Sequence, residues 1–190
     1  ADAPAAAARL QAWLAARAPS DAVLVNNAAA LSEPASLGES DLADLSQAVR
    51  VGLEAPLLLT AAFLHATAGW GTSRKVLNIS SGLGRRAMAG SASYCAVKAG
   101  MDHFSRAVAL EEAARPQGAR IVSLAPGIID TDMQAQLRGA DRTRFPEGER
   151  FAAFKAQGQL DSPAQAAAKV LRVLARADFG DEVITDVRAA

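Results

Sequence analysis

The sequence is poor in the residues that most often carry chemistry alone. Its 190 residues include one cysteine, one tyrosine and two histidines. A single cysteine excludes an internal disulfide, and without paired cysteines or clustered histidines no zinc-ligand spacing is present. Neither sign of charge is in excess: 20 Lys+Arg face 20 Asp+Glu. No basic face is implied for nucleic acid, and no charge block for a solvated tail. Long hydrophobic runs are also missing. The most apolar stretch, Ala55 to Trp70, is broken by Pro56, Thr60, His65 and Thr67, too short and too interrupted to read as a membrane span. The opening Ala1-Asp2-Ala3-Pro4 lacks the basic and apolar regions of a leader. What remains is 51% hydrophobic, too apolar for disorder. The expectation is a soluble, cytoplasmic, helix-rich single domain with no metal, no nucleic-acid partner and no membrane partner.

Periodicity divides the chain into alternating helices and apolar strands. Leu10, Trp13 and Leu14 recur at helical spacing between Pro4 and Arg17. Ala22-Val23-Leu24-Val25 is a short apolar run of the kind buried on both sheet faces. A long helix follows from Ser40 as N-cap, carrying Leu42, Leu45, Val49, Leu53 and Leu57, with a bend expected at Pro56. Lys75 to Ile79, Ala119 to Leu124 and Glu182 to Thr185 read as further strands. Helices are expected over Ser91–Ala114, Thr131–Leu137 and Glu147–Gln157, and from Ser162-Pro163 onward. This alternation predicts an open parallel α/β sheet, in which ligands bind beyond the carboxyl ends of the strands. Those ends carry Asn26-Asn27, Ser80-Ser81 and Pro126-Gly127.

One constellation stands out there. Tyr94 and Lys98 are four residues apart in a helical stretch and share a face. Ser81 precedes Tyr94 by 13 residues, at the end of a strand feeding that helix. A neighbouring ammonium favours phenolate and is expected to lower the tyrosine pKa, suiting Tyr94 to pass a proton near neutral pH. A serine hydroxyl steadies a carbonyl oxygen as charge develops on it. The set suits carbonyl–alcohol interconversion, with the hydride drawn from a cofactor because no side chain supplies one. Cys95, His65 and His103 read as packed or surface residues, and Arg142, Arg144 and Arg150 as a solvated cluster.

Asn26-Asn27-Ala28, Asn78-Ile79-Ser80-Ser81, Tyr94-x-x-x-Lys98 and Pro126-Gly127-x-x-x-Thr131 occur in one order along nearly the whole chain. In these motifs the sequence resembles the short-chain dehydrogenase/reductase family. A narrower resemblance, to the sepiapterin reductase-like branch, is carried by four segments. They are Tyr94-Cys95-Ala96-Val97-Lys98-Ala99, Ala109-Leu110-Glu111-Glu112, Asp130-Thr131-Asp132-Met133-Gln134 and Gly158-Gln159-Leu160. The resemblance implies a Rossmann-like, doubly wound parallel sheet seen without its first strands. It implies reduction of a ketone, diketone or pterin-like side chain, with NADP(H) expected over NAD(H). Ser81, Tyr94 and Lys98 would be catalytic. Asn26, Ala28, Tyr94, Lys98, Pro126, Gly127, Ile129 and Thr131 would bind cofactor, and Ser81 and Met133 would face a small-molecule carbonyl substrate. Residues between Met133 and Phe151 would form a mobile lid. A homodimer or homotetramer is implied through the Ser40–Thr67 and Ser91–Ala114 helices, with Met101 and Phe104 among their apolar residues.

Departures from the family pattern qualify this. Val51-Gly52-Leu53 stands where the family has Val-Asn-Leu, and Ala29 where glycine is usual. No Gly-x-x-x-Gly-x-Gly turn occurs, so residues 1–190 are expected to be one domain lacking about 60 N-terminal residues of the phosphate-binding half. The alternative is a dinucleotide-binding regulator or scaffold of the same fold with weak chemistry, which Gly52 would favour.

Overall fold

The computed structural model describes residues 2–17 and 21–189. Four strands, β1 (Asp21–Asn26), β2 (Ser73–Ile79), β3 (Arg120–Ala125) and β4 (Ile184–Asp186), form one sheet in the order β1-β2-β3-β4, every pairing parallel. Helix α1 (Ala3–Ala15) precedes β1, and α2 (Leu42–Val49) and α3 (Ala55–Thr67) lead to β2. The long α4 (Ala92–Ala113) joins β2 to β3. Between β3 and β4 come α5 (Asp132–Gly139), α6 (Gly148–Ala156) and α7 (Pro163–Ala175). Local signals explain the ends. Asp2 accepts from the Ala5 amide at 3.0 Å to cap α1, and Ser162 and Gln165 form a reciprocal capping box on α7 with Pro163 in its first turn.

The pleat divides the core. Val76 and Ile121 face one way, packing with Leu14 of α1, Phe63 of α3 and Val108 of α4. Leu77, Val122 and Leu124 face the other way, against Val173 of α7 and Phe179. Helices therefore cover both faces of β2 and β3. They do not cover both faces of β1. Val25 lies in register with Leu77, on the α7 side, but α7 does not reach it, and Val23 and Val25 stay 47% and 45% exposed. The expected two-sided burial of Ala22–Val25 is thus corrected: one face is covered and, among the described residues, β1 pairs only with β2.

Three more expectations are revised. The N-cap of α2 is Asp41, which accepts from the Asp44 amide at 2.9 Å, while Ser40 closes a preceding 3₁₀ turn. The long helix carries its irregularity just ahead of Pro56. It passes through a π-turn at Arg50–Glu54, where the Ala55 amide bonds the Arg50 carbonyl, just before the residue that has no N–H to give. Met101 is fully buried within the chain, so it offers nothing to a second subunit.

The helical run Leu42–Thr67 spans 26 residues with mean hydropathy 1.3, enough by length and composition alone to cross a bilayer. It is longer than the interrupted stretch suggests, and it buries Thr60, Phe63 and Thr67 inside the protein. At the amino-end side of the sheet a buried ion pair ties β2 to α4. Arg74 lies 3.5 Å from Glu112, which also accepts the Ala119 amide at 2.8 Å.

Candidate active site

The carboxyl ends of the four strands open into a cleft of about 930 Å³. Asn27 and Ala28 follow β1 there, Ser80 to Leu83 follow β2, Ala125 to Ile129 follow β3, and Asp186 and Arg188 close the β4 side. Tyr94 and Lys98 of α4 reach the same cleft, as do Met133 of α5 and Phe151 and Phe154 of α6.

One side of the cleft is a set of rungs between the end of β2 and one face of α4. Lys98 Nζ donates to the Ile79 carbonyl at 2.7 Å. The Ser80 hydroxyl donates to Asp102 at 2.6 Å. The Ser81 hydroxyl lies within reach of the Tyr94 phenol and accepts the Leu83 amide at 3.2 Å. Tyr94, Lys98 and Asp102 fall at i, i+4 and i+8, so three turns of one helix face meet three consecutive strand-end residues. Strand alternation separates the two serines: Ser80 is 3% exposed and points into the protein, while Ser81 is half-buried on the cleft wall.

Burial sets the charges. It pushes the Tyr94 phenol above its usual value near 10, with the Ser81 hydrogen bond pulling back and nearby Cys95 adding to the rise. Burial also lowers Lys98 to about 8, with the Asp102 carboxylate working against the fall. The expected lowering of Tyr94 by Lys98 is therefore corrected. Lys98 Nζ sits 5.5 Å from the centre of the Tyr94 ring and is turned to the Ile79 carbonyl, so desolvation outweighs its field. At neutral pH the arrangement holds a protonated phenol beside a serine hydroxyl, which is a proton donor's state.

Of the residues singled out in the sequence, Ser81, Tyr94, Lys98, Ala28, Pro126, Gly127, Ile129, Thr131 and Met133 all line the cleft. Asn26 does not. Its amide donates to Thr60 at 3.1 Å and to Asn78 at 2.8 Å, and Asn78 donates to Ser105 at 2.8 Å. This buried ladder ties β1 and β2 to α3 and α4 beneath the cleft, and the next residue, Asn27, takes the wall position. Gly127 has φ +86°, a conformation that side-chain-bearing residues seldom hold. The turn it makes is anchored where the Asp161 amide donates to the Ile128 carbonyl at 2.9 Å.

The segment expected to form a lid is two short helices with a core of their own. Leu137, Ala140, Phe145 and Phe151 bury together, with Met88, Met133 and Phe154 against them. Phe145 stacks on Phe151 with ring centres 5.9 Å apart, and Phe154 meets Phe151 edge-on. Sequence reasoning missed Asp102, Ser123 and Arg85. The i+4 spacing from Lys98 was the available signal for Asp102; nothing local marked the others.

Comparison with known proteins bears on the fold and the family. A family model described as short chain dehydrogenase matches residues 3–142. A benzil reductase ((S)-benzoin forming) of Bacillus cereus is 35% identical over 82% of this chain and 63% of its own length. Sepiapterin reductase of Rattus norvegicus is 33% identical over 83% of this chain and 59% of its own. A metagenomic short-chain oxidoreductase in complex with NADP is 33% identical, with TM-score 0.56, covering 67% of this chain and 55% of that one. The chain thus spans about three-fifths of the length of these curated relatives. With its parallel sheet, its strand-end cleft and a family match over most of its length, this chain is a member of the short-chain dehydrogenase family.

Proposed function

We propose that the protein carrying this chain reduces a small-molecule carbonyl, a ketone or diketone with an aromatic or other planar substituent, using NADPH. The observation that carries the reading is the meeting of Ser81, Tyr94 and Lys98 in one cleft, with Tyr94 held as a neutral phenol. A nicotinamide dinucleotide fits the residues present. Gly127 brings bare backbone to the wall, and Ser91 and Gln134, two wall residues, each keep a buried oxygen with no hydrogen-bond partner among the described residues. Ala28, Tyr94, Lys98, Pro126, Gly127, Ile129 and Thr131 would hold it, and when bound it supplies the hydride. The NADP-bound relative favours NADP(H).

The chain's own residues do the rest. Ser81 donates to the carbonyl oxygen as negative charge grows there. Tyr94 passes its phenolic proton to that oxygen. Lys98, anchored on Ile79, keeps a positive charge under the phenol as it becomes phenolate. Met88, Met133, Phe151 and Phe154 give the substrate an apolar wall, in keeping with the aromatic diketone that names one relative. Exposed Leu42, Leu57 and Leu110 on α2, α3 and α4 support self-association.

The test mixes the protein with NADPH and a panel of diketones and follows the absorbance of the reduced nicotinamide. Turnover is expected, falling about 10²–10⁴-fold in Tyr94→Phe. Binding of NADPH with no turnover across the panel would replace this reading with the scaffold that Gly52 favours.

A further inference from the structure

The buried carboxylate of Asp102 has no place in the scheme above. It is 2% exposed. Its Oδ1 accepts the Ser80 hydroxyl at 2.6 Å and the Ser123 hydroxyl at 2.7 Å. Arg85 Nε stands 3.5 Å from Oδ2, and Arg85 also donates to the Thr185 carbonyl at 2.8 Å. Asp102 thus joins the ends of β2 and β3 and, through Arg85, of β4. Even with these donors a buried carboxylate is costlier to keep than a small neutral polar residue, and Oδ2 has no hydrogen-bond partner among the described residues. The same strand ends could be tied by neutral groups, so the charge itself calls for an explanation.

The neighbour that explains it is one helical turn away. Lys98 is also 2% exposed, and its one hydrogen bond is to a neutral carbonyl. Without a compensating anion a lysine so placed sheds its proton. We infer that Asp102 is a positioning residue whose fixed negative charge keeps Lys98 an ammonium, while its bonds to Ser80 and Ser123 hold the strand end that presents Ser81. The inference rests on the carbonyl-reductase reading for its meaning, since a neutral Lys98 would leave the developing phenolate of Tyr94 unsupported.

The groups facing Lys98 are few. On α4 they are Tyr94 and Asp102. The end of β2 offers the Ile79 carbonyl, and β3 offers neutral Ser123. The turn after β2 offers Arg85. From β4 comes Asp186, already engaged by Arg188 at 2.6 and 2.8 Å. The π-turn meets α4 through Gly52 and Val97, both uncharged. Asp186 is taken up by its bidentate pair with Arg188, whereas Asp102 shares its charge with Arg85 at 3.5 Å and lies one helical turn from Lys98 on the same buried face.

Charge and scaffold make opposite predictions. The chain has four lysines, so carbon-13-labelled lysine gives four titrating signals, with Lys98 assigned by its loss in Lys98→Arg. In the unmodified chain Lys98 titrates at about 8. Asp102→Asn keeps an acceptor and removes the charge. The expected midpoint falls to about 7 or lower, the scale set by a lost close counter-charge. If Asp102 only braces the fold, its loss lets water in, and the midpoint stays or climbs toward 10.5, which overturns the inference. Should Asp102→Asn not fold, a second variant decides. Lys98→Met removes the ammonium, so the double variant Lys98→Met with Asp102→Asn must fold where Asp102→Asn alone does not; a double variant that stays unfolded overturns the inference. Neither measurement needs cofactor or substrate. A failed reductase assay therefore leaves the coupling standing, and a failed titration leaves the reductase reading standing.

Discussion

Gly52 offers the sharpest test of how this cleft is built. A Cβ added there would lie 2.6 Å from Val97 Cγ1 and 3.7 Å from Val97 Cβ. Ordinary carbon contacts run about 3.5–4.0 Å, so the first overlap is roughly 1 Å. Val97 cannot swing away, because a β-branched side chain inside a helix holds essentially one rotamer, and at 2% exposure it has no free space. Gly52→Ala must therefore push the π-turn and α4 apart. Overpacking of this kind costs about 1–3 kcal/mol. Against it stands the gain of about 1 kcal/mol from replacing glycine with alanine in a helix. The net expectation is a loss of about 1 kcal/mol, or about 2–4 °C in Tm for a chain of this size. Val97→Ala removes the obstructing methyl groups at its own cost of about 2 kcal/mol. In that background Gly52→Ala should become stabilising, for a coupling of about 2 kcal/mol in the double-mutant cycle. Thermal and urea unfolding followed by circular dichroism read all four corners. Equal effects in the two backgrounds, or a Gly52→Ala single variant more stable than the parent, would refute the close approach. Val97 lies between Tyr94 and Lys98 on α4, so the displacement should also lower turnover in the single variant and spare it in the double.

Two further outcomes follow from buried charge. Lys98 titrates at about 8 folded against 10.5 unfolded, so between those values the unfolded chain holds a proton that the folded chain has lost, and stability rises with pH. Relative to Lys98→Met, the unfolding free energy should climb by about 2 kcal/mol from pH 8 to pH 10; a flat difference would mean Lys98 is not desolvated. Above pH 10 the raised Tyr94 opposes the trend, because only the unfolded chain then loses the phenolic proton. Glu112→Ala should cost about 3–5 kcal/mol by stranding buried Arg74, whereas Arg115→Ala, at the 55% exposed arm of the same cluster, should cost under about 1 kcal/mol. Similar losses for the two in urea unfolding would count against the buried pair.

How far the sequence could be read depended on whether a signal was local. The strands and helices were legible because apolar spacing and caps such as Ser162-Pro163 act within a few residues. The Tyr94–Lys98 face was legible for the same reason. Asp102 was not, because an aspartate in a helix reads as solvated until the strand ends that bury it are in place. Choosing between Asn26 and Asn27 required the pleat's phase, which a six-residue strand ending in Asn26 and followed at once by Asn27 leaves open. The burial of β1 was misread because composition reports that a strand is apolar, not which of its faces has a neighbour. The sign of the Tyr94 shift was misjudged because spacing gives proximity to Lys98 but not depth, and depth decided it.

The cleft's two walls differ in kind, and the difference fits a division of labour. One wall is the sheet end, where Ser81, Tyr94 and Lys98 are held by parallel strands, by the Asn26–Asn78–Ser105 ladder and by the bonds to Asp102. Moving any of them disturbs a buried network with few spare donors. The other wall is α5 and α6, whose small aromatic core is separate from the two cores that flank the sheet. It is pinned by ion pairs at its rim, Asp130 with Lys155 and with Arg138, and rim pairs of this sort contribute about 1 kcal/mol at most. Low local stability belongs where a surface must open for a ligand, and rigid placement belongs where a proton crosses a single hydrogen bond. Changes at Met133, Phe151 or Phe154 should therefore alter which carbonyl is accepted, read as KM across the diketone panel, while leaving the pH dependence of the proton step in place. A shift of that pH profile by a Phe154→Leu substitution would mean that the two walls are coupled and the division does not hold.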